Sequence, residues 1–393
     1  MSRATPLGFE FSHRTQIVVG AGVWTKACAQ IRSFGRKILL VTGSACLQRL
    51  GLEPALAEEA ERLGFAFERF SVPREPDIEL ADRAGALARS SGAEAVLGIG
   101  GGSALDVAKA AAALATNPGS ARDYLEGLPG GGPKPIAVTP LPVVCVPTTA
   151  GTGSEVTKNS VLQVADLEVK RSMRSDFLFP RAAFVDPTLS GRAPHAVRGG
   201  TGFDALTHLC EAFCSRNASP FSDALAKDGI VRAANGLRAL AAGTASDADA
   251  FDLALASTLG GICLANAGLG AAHGLIAPLG GLYPNIPHGA GLACLLPATL
   301  LVNEGAARQD SFSGARARLA ELARLLGGPS GTIESVAKEL TELRRALALP
   351  ALASYARVDI ARVIASPSGS LKTNPVPLGE RELSAILELA LRD

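Results

Sequence analysis

From residue 37 to residue 116 one arrangement repeats: a short apolar run, a helical stretch, then another run. Residues 37–42 (KILLVT) lead into a helical stretch at 46–63, and residues 65–72 into another at 76–91. Residues 95–99 then run straight into Gly100-Gly101-Gly102-Ser103 and the helical LDVAKAAAALA. Apolar runs of this kind bury both faces, and intervening helices are the connections that let them pair in parallel. The pattern predicts a doubly wound α/β sheet for the first half of the chain. Residues 142–146 add a buried strand running into Pro147-Thr148-Thr149-Ala150-Gly151-Thr152-Gly153-Ser154; 159–185 read as β-rich, and 8–19 alternate as a short hairpin would.

The glycines at 100–102 lie where a strand hands over to a helix. Without side chains there, the backbone can approach a pyrophosphate, and the helix N-terminus supplies unpaired N–H groups and a favourable dipole. Ser103 suits either helix capping or a phosphate contact. Asp106 and Lys109 fall in the first two helical turns, where they serve either the cofactor or the electrostatics of the helix end. The spacing is not that of the GxGxxG fingerprint. The second polar loop, Thr148 to Ser154, also sits at a strand end, where open α/β sheets bind ligands, so the two loops together favour a nucleotide cleft.

After Asp186-Pro187 the character changes. The pattern becomes helical at 202–215, 219–242, 247–267, 287–306 and 313–327, with more from 331 to 393. At 393 residues two domains are expected, and we place the boundary at 188/189: an α/β domain over 1–188 and an all-helical domain over 189–393. Within Gly202–Glu211 (GFDALTHLCE), Asp204 and His208 are four residues apart, one helical turn, on one face. Such a pair is either a surface hydrogen bond or half of a divalent-metal site. The chain has only five histidines, and two others, His273 and His288, open glycine-flanked motifs in the same half. One aspartate and three histidines would close a four-ligand site for Fe(II) or Zn(II).

Composition removes several other classes. A net charge of +1 implies no broad basic face for nucleic acid. The seven cysteines are scattered with no CxxC pair; Cys210 and Cys214, beside His208, read as buried thiols. The N-terminus lacks an apolar signal core and no run of about 18 apolar residues occurs. The expectation is a soluble, cytoplasmic, reduced protein without a membrane partner.

Six segments in order resemble the iron-containing (group III) alcohol dehydrogenase family: GIGGGSALDVAKA (98–110), VPTTAGTGSEVT (146–157), FVDPTL (184–189), TGFDALTHLCEAF (201–213), NAGLGAAHG (266–274) and PHGAGLACLLP (287–297). Lys372-Thr373-Asn374-Pro375 is similar as well. The resemblance implies the dehydroquinate synthase-like architecture, a dinucleotide-binding α/β domain followed by an all-α domain, with the active site in the cleft between. It implies a metal held by Asp204, His208, His273 and His288, a pyrophosphate loop at Gly100, Gly101, Gly102 and Ser103, and cofactor threonines at Thr148, Thr149 and Thr152. The family is often dimeric or larger, so a homo-oligomer is expected.

Three positions depart from that pattern. Many members carry H-G-x-x-H, whose last histidine stands near the substrate; here that position is Ala277, which leaves the proton to the nicotinamide ribose hydroxyls and water. The first strand ends at Gly43 where NAD-selective members often carry aspartate, so the repulsion of a 2′-phosphate is missing and NADP(H) should be tolerated or preferred. The N-P-T element expected after the second strand reads Arg74-Glu75-Pro76-Asp77. The leading reading is a metal-dependent oxidoreductase passing hydride between NAD(P) and a small alcohol or aldehyde. The runner-up is metal-free reduction of an anionic keto-acid, as in maleylacetate reductase, with Lys158, Lys170, Arg171 and Arg174 as candidate cations. A dehydroquinate synthase-type lyase stands third.

Overall fold

The computed structural model describes residues 8–327, 331–366 and 368–392. Two compact units divide it: His13–Ala193, and the chain from Pro194 onward joined by residues 8–12.

The first unit carries eight strands: β1 (Gln16–Val19), β2 (Lys37–Gly43), β3 (Ala66–Val72), β4 (Ala95–Gly100), β5 (Val143–Pro147), β6 (Asn159–Val164), β7 (Val169–Arg174) and β8 (Ala182–Val185). Six of them form a wholly parallel sheet in the order β1-β8-β5-β4-β2-β3, while β6 and β7 pair as a separate antiparallel ribbon. Its helices are α1 (Trp24–Arg32), α2 (Cys46–Leu50), α3 (Glu53–Leu63), α4 (Ile78–Ser90), α5 (Gly102–Thr116) and α6 (Pro187–Ser190). Alternation along the strands explains the two cores: Ile38, Leu40, Leu97, Ile99 and Val144 pack with Trp24, Ile31 and Leu56, whereas Leu39, Val41, Val96 and Cys145 pack with Leu80, Leu105 and Ala108.

Some local expectations change. The stretch 46–63 is two helices, because Gly51 takes a left-handed φ of 67° as a C-cap and Pro54 starts the next helix. No hairpin forms at 8–19: β1 pairs parallel with β8, Gln16 opposite Ala182. Residues 8–12 instead join the helical unit, where the Ser12 N–H donates to the Asn266 side chain at 2.7 Å and the Phe9 and Phe11 rings each lie 5.4 Å from Phe221. Near the predicted boundary at 188, Leu189 is buried with Trp24 and Leu50, which keeps α6 in the α/β unit and starts the helical unit at Pro194.

The second unit contains α7 (His195–Cys214), α8 (Pro220–Ala241), α9 (Asp247–Ala267), α10 (Ala271–Leu282), α11 (His288–Ala306), α12 (Ser313–Leu326), α13 (Ile333–Ala346), α14 (Ile360–Ile364) and α15 (Glu380–Arg392). Helix α7 starts seven residues before the predicted 202, and α10 forms where the sequence pattern predicts no helix. From Gly202 to Cys214 every residue of α7 is buried, so it is the central helix of this unit. By length and mean hydropathy α9 and α11 could each cross a membrane, but 61% and 67% of those windows is buried inside the unit, as in core helices. The α7–α11 crossing is close: a Cβ on Gly289 would fall 2.1 Å from the Gly200 carbonyl oxygen. One turn beyond Gly200 stands Asp204, and immediately before Gly289 stands His288. The crossing therefore sets how near those two side chains come.

Gly289→Ala is expected to cost about 1–3 kcal/mol through overpacking against backbone. Gly305→Ala, in the same helix with open space beside it, should instead gain about 0.5–1 kcal/mol. Urea unfolding of both variants reads the difference, and equal midpoints would remove the close crossing as a constraint.

Candidate functional site

Helices α7, α10 and α11 bring the four predicted ligand residues together within the helical unit. Oδ1 of Asp204 lies 3.5 Å from His208 Nδ1, 3.4 Å from His273 Nε2 and 3.7 Å from His288 Nε2. Asp204, His273 and His288 each offer a ligand atom within 4.8 Å of the others. His208 stands beside this trio, its ring stacked on that of His273 with centroids 4.4 Å apart. Asp204, His208 and His273 are buried; the His288 side chain is 37% exposed and gives the cluster its open side.

A fifth residue belongs here. Glu211, one turn beyond His208 on α7, is buried and accepts from His273 Nδ1 at 2.7 Å. It also accepts from the backbone N–H of Ala272 at 2.7 Å and of His273 at 3.4 Å. Helix α10 has no capping side chain of its own; Glu211 and Asn374, which accepts from Ala271 N–H at 3.0 Å, take its first orphan donors. The sequence reading missed Glu211, although positions 204, 208 and 211 share one helical face.

With Nδ1–H committed to Glu211, His273 turns a lone pair at Nε2 toward Asp204. Asp204 Oδ1 and His273 Nε2 are both buried without a hydrogen-bond partner. Two unpartnered acceptors facing each other in a buried setting are costly unless a cation joins them. The electrostatics agree. Burial would raise the Asp204 carboxyl, but His208, His288 and His273 outweigh it and hold it well below the usual range. Burial also depresses His208, to about 4, against the pull of Asp204. For His273 burial is outweighed by its contacts with Asp204 and Glu211, and it rises to about 9. A proton on His273 and a divalent cation among the donors answer the same excess of negative charge. One carboxylate and several imidazoles are a donor set that fits Fe(II) or Zn(II).

In the α/β unit the predicted dinucleotide residues converge at the carboxyl ends of three adjacent strands, β5, β4 and β2. A Cβ on Gly101 would come 3.2 Å from Thr149 Oγ1, one on Gly102 2.6 Å from Thr152 Cγ2, and one on Gly100 2.7 Å from Ala104 Cβ and 3.5 Å from Gly43 N. Thr148 is buried; its N–H donates to the Gly100 carbonyl at 2.9 Å and its hydroxyl lies 3.5 Å from Cys46 Sγ. Gly101 is the N-cap of α5, and no side chain caps that helix end; Ser103 is its second residue. Within the first turn Ala104 N–H donates to the Gly101 carbonyl at 3.0 Å, and no side chain competes with an outside acceptor for the helix start.

Both carboxylate oxygens of Asp106 are engaged inside the unit. They accept from the Ser154 hydroxyl and, at 2.9 Å, from Val161 N–H, and Lys109 Nζ lies 3.1 Å away. Lys109 is wholly buried and donates to the Ser154 carbonyl at 2.9 Å, to Thr157 Oγ1 at 3.2 Å and to the Asn159 carbonyl. This pair ties α5 to the threonine loop. Elsewhere, Arg74 bonds to Asp77 and Glu79, Lys158 pairs with Asp176, Lys170 with Glu75 and Arg174 with Glu126, while Arg171 donates to the Gly127 and Lys170 carbonyls. Ala277 lies on α10, one turn beyond His273.

A parallel α/β unit with a glycine-rich strand-to-helix loop, followed by a helical unit with a buried carboxylate–imidazole cluster, defines the class. A family model described as iron-containing alcohol dehydrogenase matches residues 14–187, and one described as Fe-containing alcohol dehydrogenase family, C-terminal, matches 199–390. Long-chain-alcohol dehydrogenase 1 of Geobacillus thermodenitrificans is 34% identical over 385 residues, 95% of this chain and 94% of that one. Among solved structures, 1,3-propanediol oxidoreductase is 29% identical at a TM-score of 0.85, covering 98% of this chain and 100% of that one. A sulfoacetaldehyde reductase from Bifidobacterium kashiwanohense, in complex with NAD+, is 26% identical at a TM-score of 0.83 with the same coverage. The chain belongs to the iron-containing alcohol dehydrogenase family, and it is an oxidoreductase.

Lys109→Met, which breaks the buried pair and strands its acceptors, is expected to lower the unfolding free energy by roughly 3 kcal/mol. Denaturant unfolding measures it; a loss within error would mean that the α5-to-loop tie contributes nothing to the fold.

Proposed function

We propose that this chain passes hydride between NAD(P) and an alcohol or aldehyde, with Fe(II) or Zn(II) held by Asp204, His208, His273 and His288. The observation that carries the reading is the buried confrontation of Asp204 Oδ1 with His273 Nε2, with His288 Nε2 completing the trio. When bound, such an ion supplies Lewis acidity toward an alcohol or carbonyl oxygen. The protein does the remaining work. Asp204 contributes the anionic ligand, and the burial around it keeps competing water away from the ligand atoms. His288, on the exposed side, is the ligand that substrate passes.

Gly100, Gly101, Gly102 and Ser103 cradle the pyrophosphate against the N-terminus of α5, and Thr148, Thr149 and Thr152 line the same strand ends. Gly43 offers no carboxylate at the end of β2, which leaves a 2′-phosphate unopposed; we therefore include NADP(H) among the cofactors. Ala277 provides no imidazole one turn beyond His273, so the proton leaves through ribose hydroxyls and water. The pairing of Lys158, Lys170 and Arg174 with carboxylates weighs against a site built for an anionic keto-acid. A cytoplasmic setting suits the seven free, buried thiols. A homo-oligomer completes the reading.

Purified protein is expected to hold a divalent metal and to oxidise reduced nicotinamide with small aldehydes, and His273→Ala to lose both properties. Metal analysis alongside nicotinamide absorbance tests this, and full turnover in a metal-free preparation would overturn it. Gly43→Asp has room for its side chain, since the nearest atom to a Cβ there is 3.6 Å away. That change should lower kcat/KM for NADPH at least about tenfold relative to NADH, a penalty near 1.4 kcal/mol from like-charge repulsion.

A further inference from the structure

We propose that Glu211 is the positioning residue of the metal centre: its carboxylate fixes the tautomer and orientation of His273 and so aims Nε2 at the ion. The proposal rests on His273 being a ligand, as argued above. Both carboxylate oxygens have defined work. Oε2 accepts from His273 Nδ1 at 2.7 Å, and Oε1 accepts from the Ala272 N–H, also at 2.7 Å. The second bond holds the carboxylate to the start of the helix that carries His273, so ring and backbone are referenced to the same group. Gly270, the residue before that helix, allows the approach: a Cβ there would lie 2.9 Å from Glu211 Oε1 and 2.8 Å from Asn374 Oδ1. An imidazole that gives its Nδ1 proton to a carboxylate keeps the Nε2 lone pair for a metal and gains basicity.

Glutamine in place of Glu211 preserves size but offers one acceptor where two are needed. Its amide must then face a donor, either the Ala272 N–H or Nδ1–H. Relief at Nδ1 comes by moving the imidazole proton to Nε2, which points it at Asp204 and closes the ligand position.

The test compares Zn(II) affinity, by chelator competition, in the full chain and in E211Q, N374A and H273A, with thermal unfolding of each. E211Q is expected to bind zinc roughly 10–100-fold more weakly. Asn374→Ala removes the neighbouring cap from the same helix end without touching His273, and should lower the melting temperature while leaving zinc affinity unchanged. Wild-type affinity in E211Q, or an equal loss in N374A, would overturn the positioning role and leave Glu211 a helix cap. Wild-type affinity in H273A would overturn the metal reading itself, and this proposal with it. Should E211Q fail to fold, the long-range 1H–15N spectrum of the zinc-bound wild-type protein decides: a His273 ring protonated at Nδ1 supports the proposal, and one protonated at Nε2 overturns it.

Discussion

The helical unit is arranged around one electrostatic problem, the burial of the Asp204 carboxylate. Removing an ionised carboxylate from water costs several kcal/mol unless positive charge or donors replace the lost hydration. Here the replacement groups are imidazoles from three helices: His208 and His273 are buried and stacked on each other, and His288 closes the exposed side. Neutral imidazoles do not balance the charge, so the site demands a cation, whether a proton on His273 or a metal. That demand explains the glycines of the packing. Gly260 lies where a Cβ would stand 3.2 Å from His208 Cβ, and Gly289 lies against the Gly200 backbone. Backbones this close bring imidazoles from separate helices within reach of one oxygen.

The α/β unit presents a different surface, the ends of parallel strands without a free charged side chain. Its predicted cofactor residues are glycines, a serine and threonines at the ends of adjacent parallel strands, next to a helix start that lacks a cap. The nearby charges are taken up in structure: Lys109 and Asp106 face each other and the threonine loop. What is left for a pyrophosphate is backbone N–H, hydroxyl and helix dipole. The threonine loop packs close on this turn, so that a Cβ at Gly101 or Gly102 would meet Thr149 or Thr152.

Much of this could be read from residue spacing. Period and apolar length marked β2, β3, β4 and β5; the glycine run after β4 marked the strand-to-helix turn; the four-residue interval between Asp204 and His208 marked a shared helical face. What could not be read was non-local or ran against local propensity. β1 pairs with β8 across more than half of the unit, and an alternating pattern cannot distinguish that from a hairpin. Helix α10 holds Gly274, Pro278, Gly280 and Gly281, each a poor helix former, and only burial in the core carries it. Asp106 reads as either a cofactor contact or helix-end electrostatics, and nothing local announces that its two oxygens accept from Ser154 and Val161. Glu211 shares a face with Asp204 and His208, but its significance depends on α10, the helix that propensity hid.

That last dependence has a physical basis. The start of a helix carries several unpaired N–H groups, and burying it requires acceptors from elsewhere in the fold. Here the acceptor is a carboxylate that also reaches the imidazole of the third residue in that helix, so one group satisfies a backbone need and sets a side-chain tautomer. A neutral acceptor such as Asn374 meets only the first need. The stability of α10 and the direction of the His273 lone pair are therefore linked through Glu211.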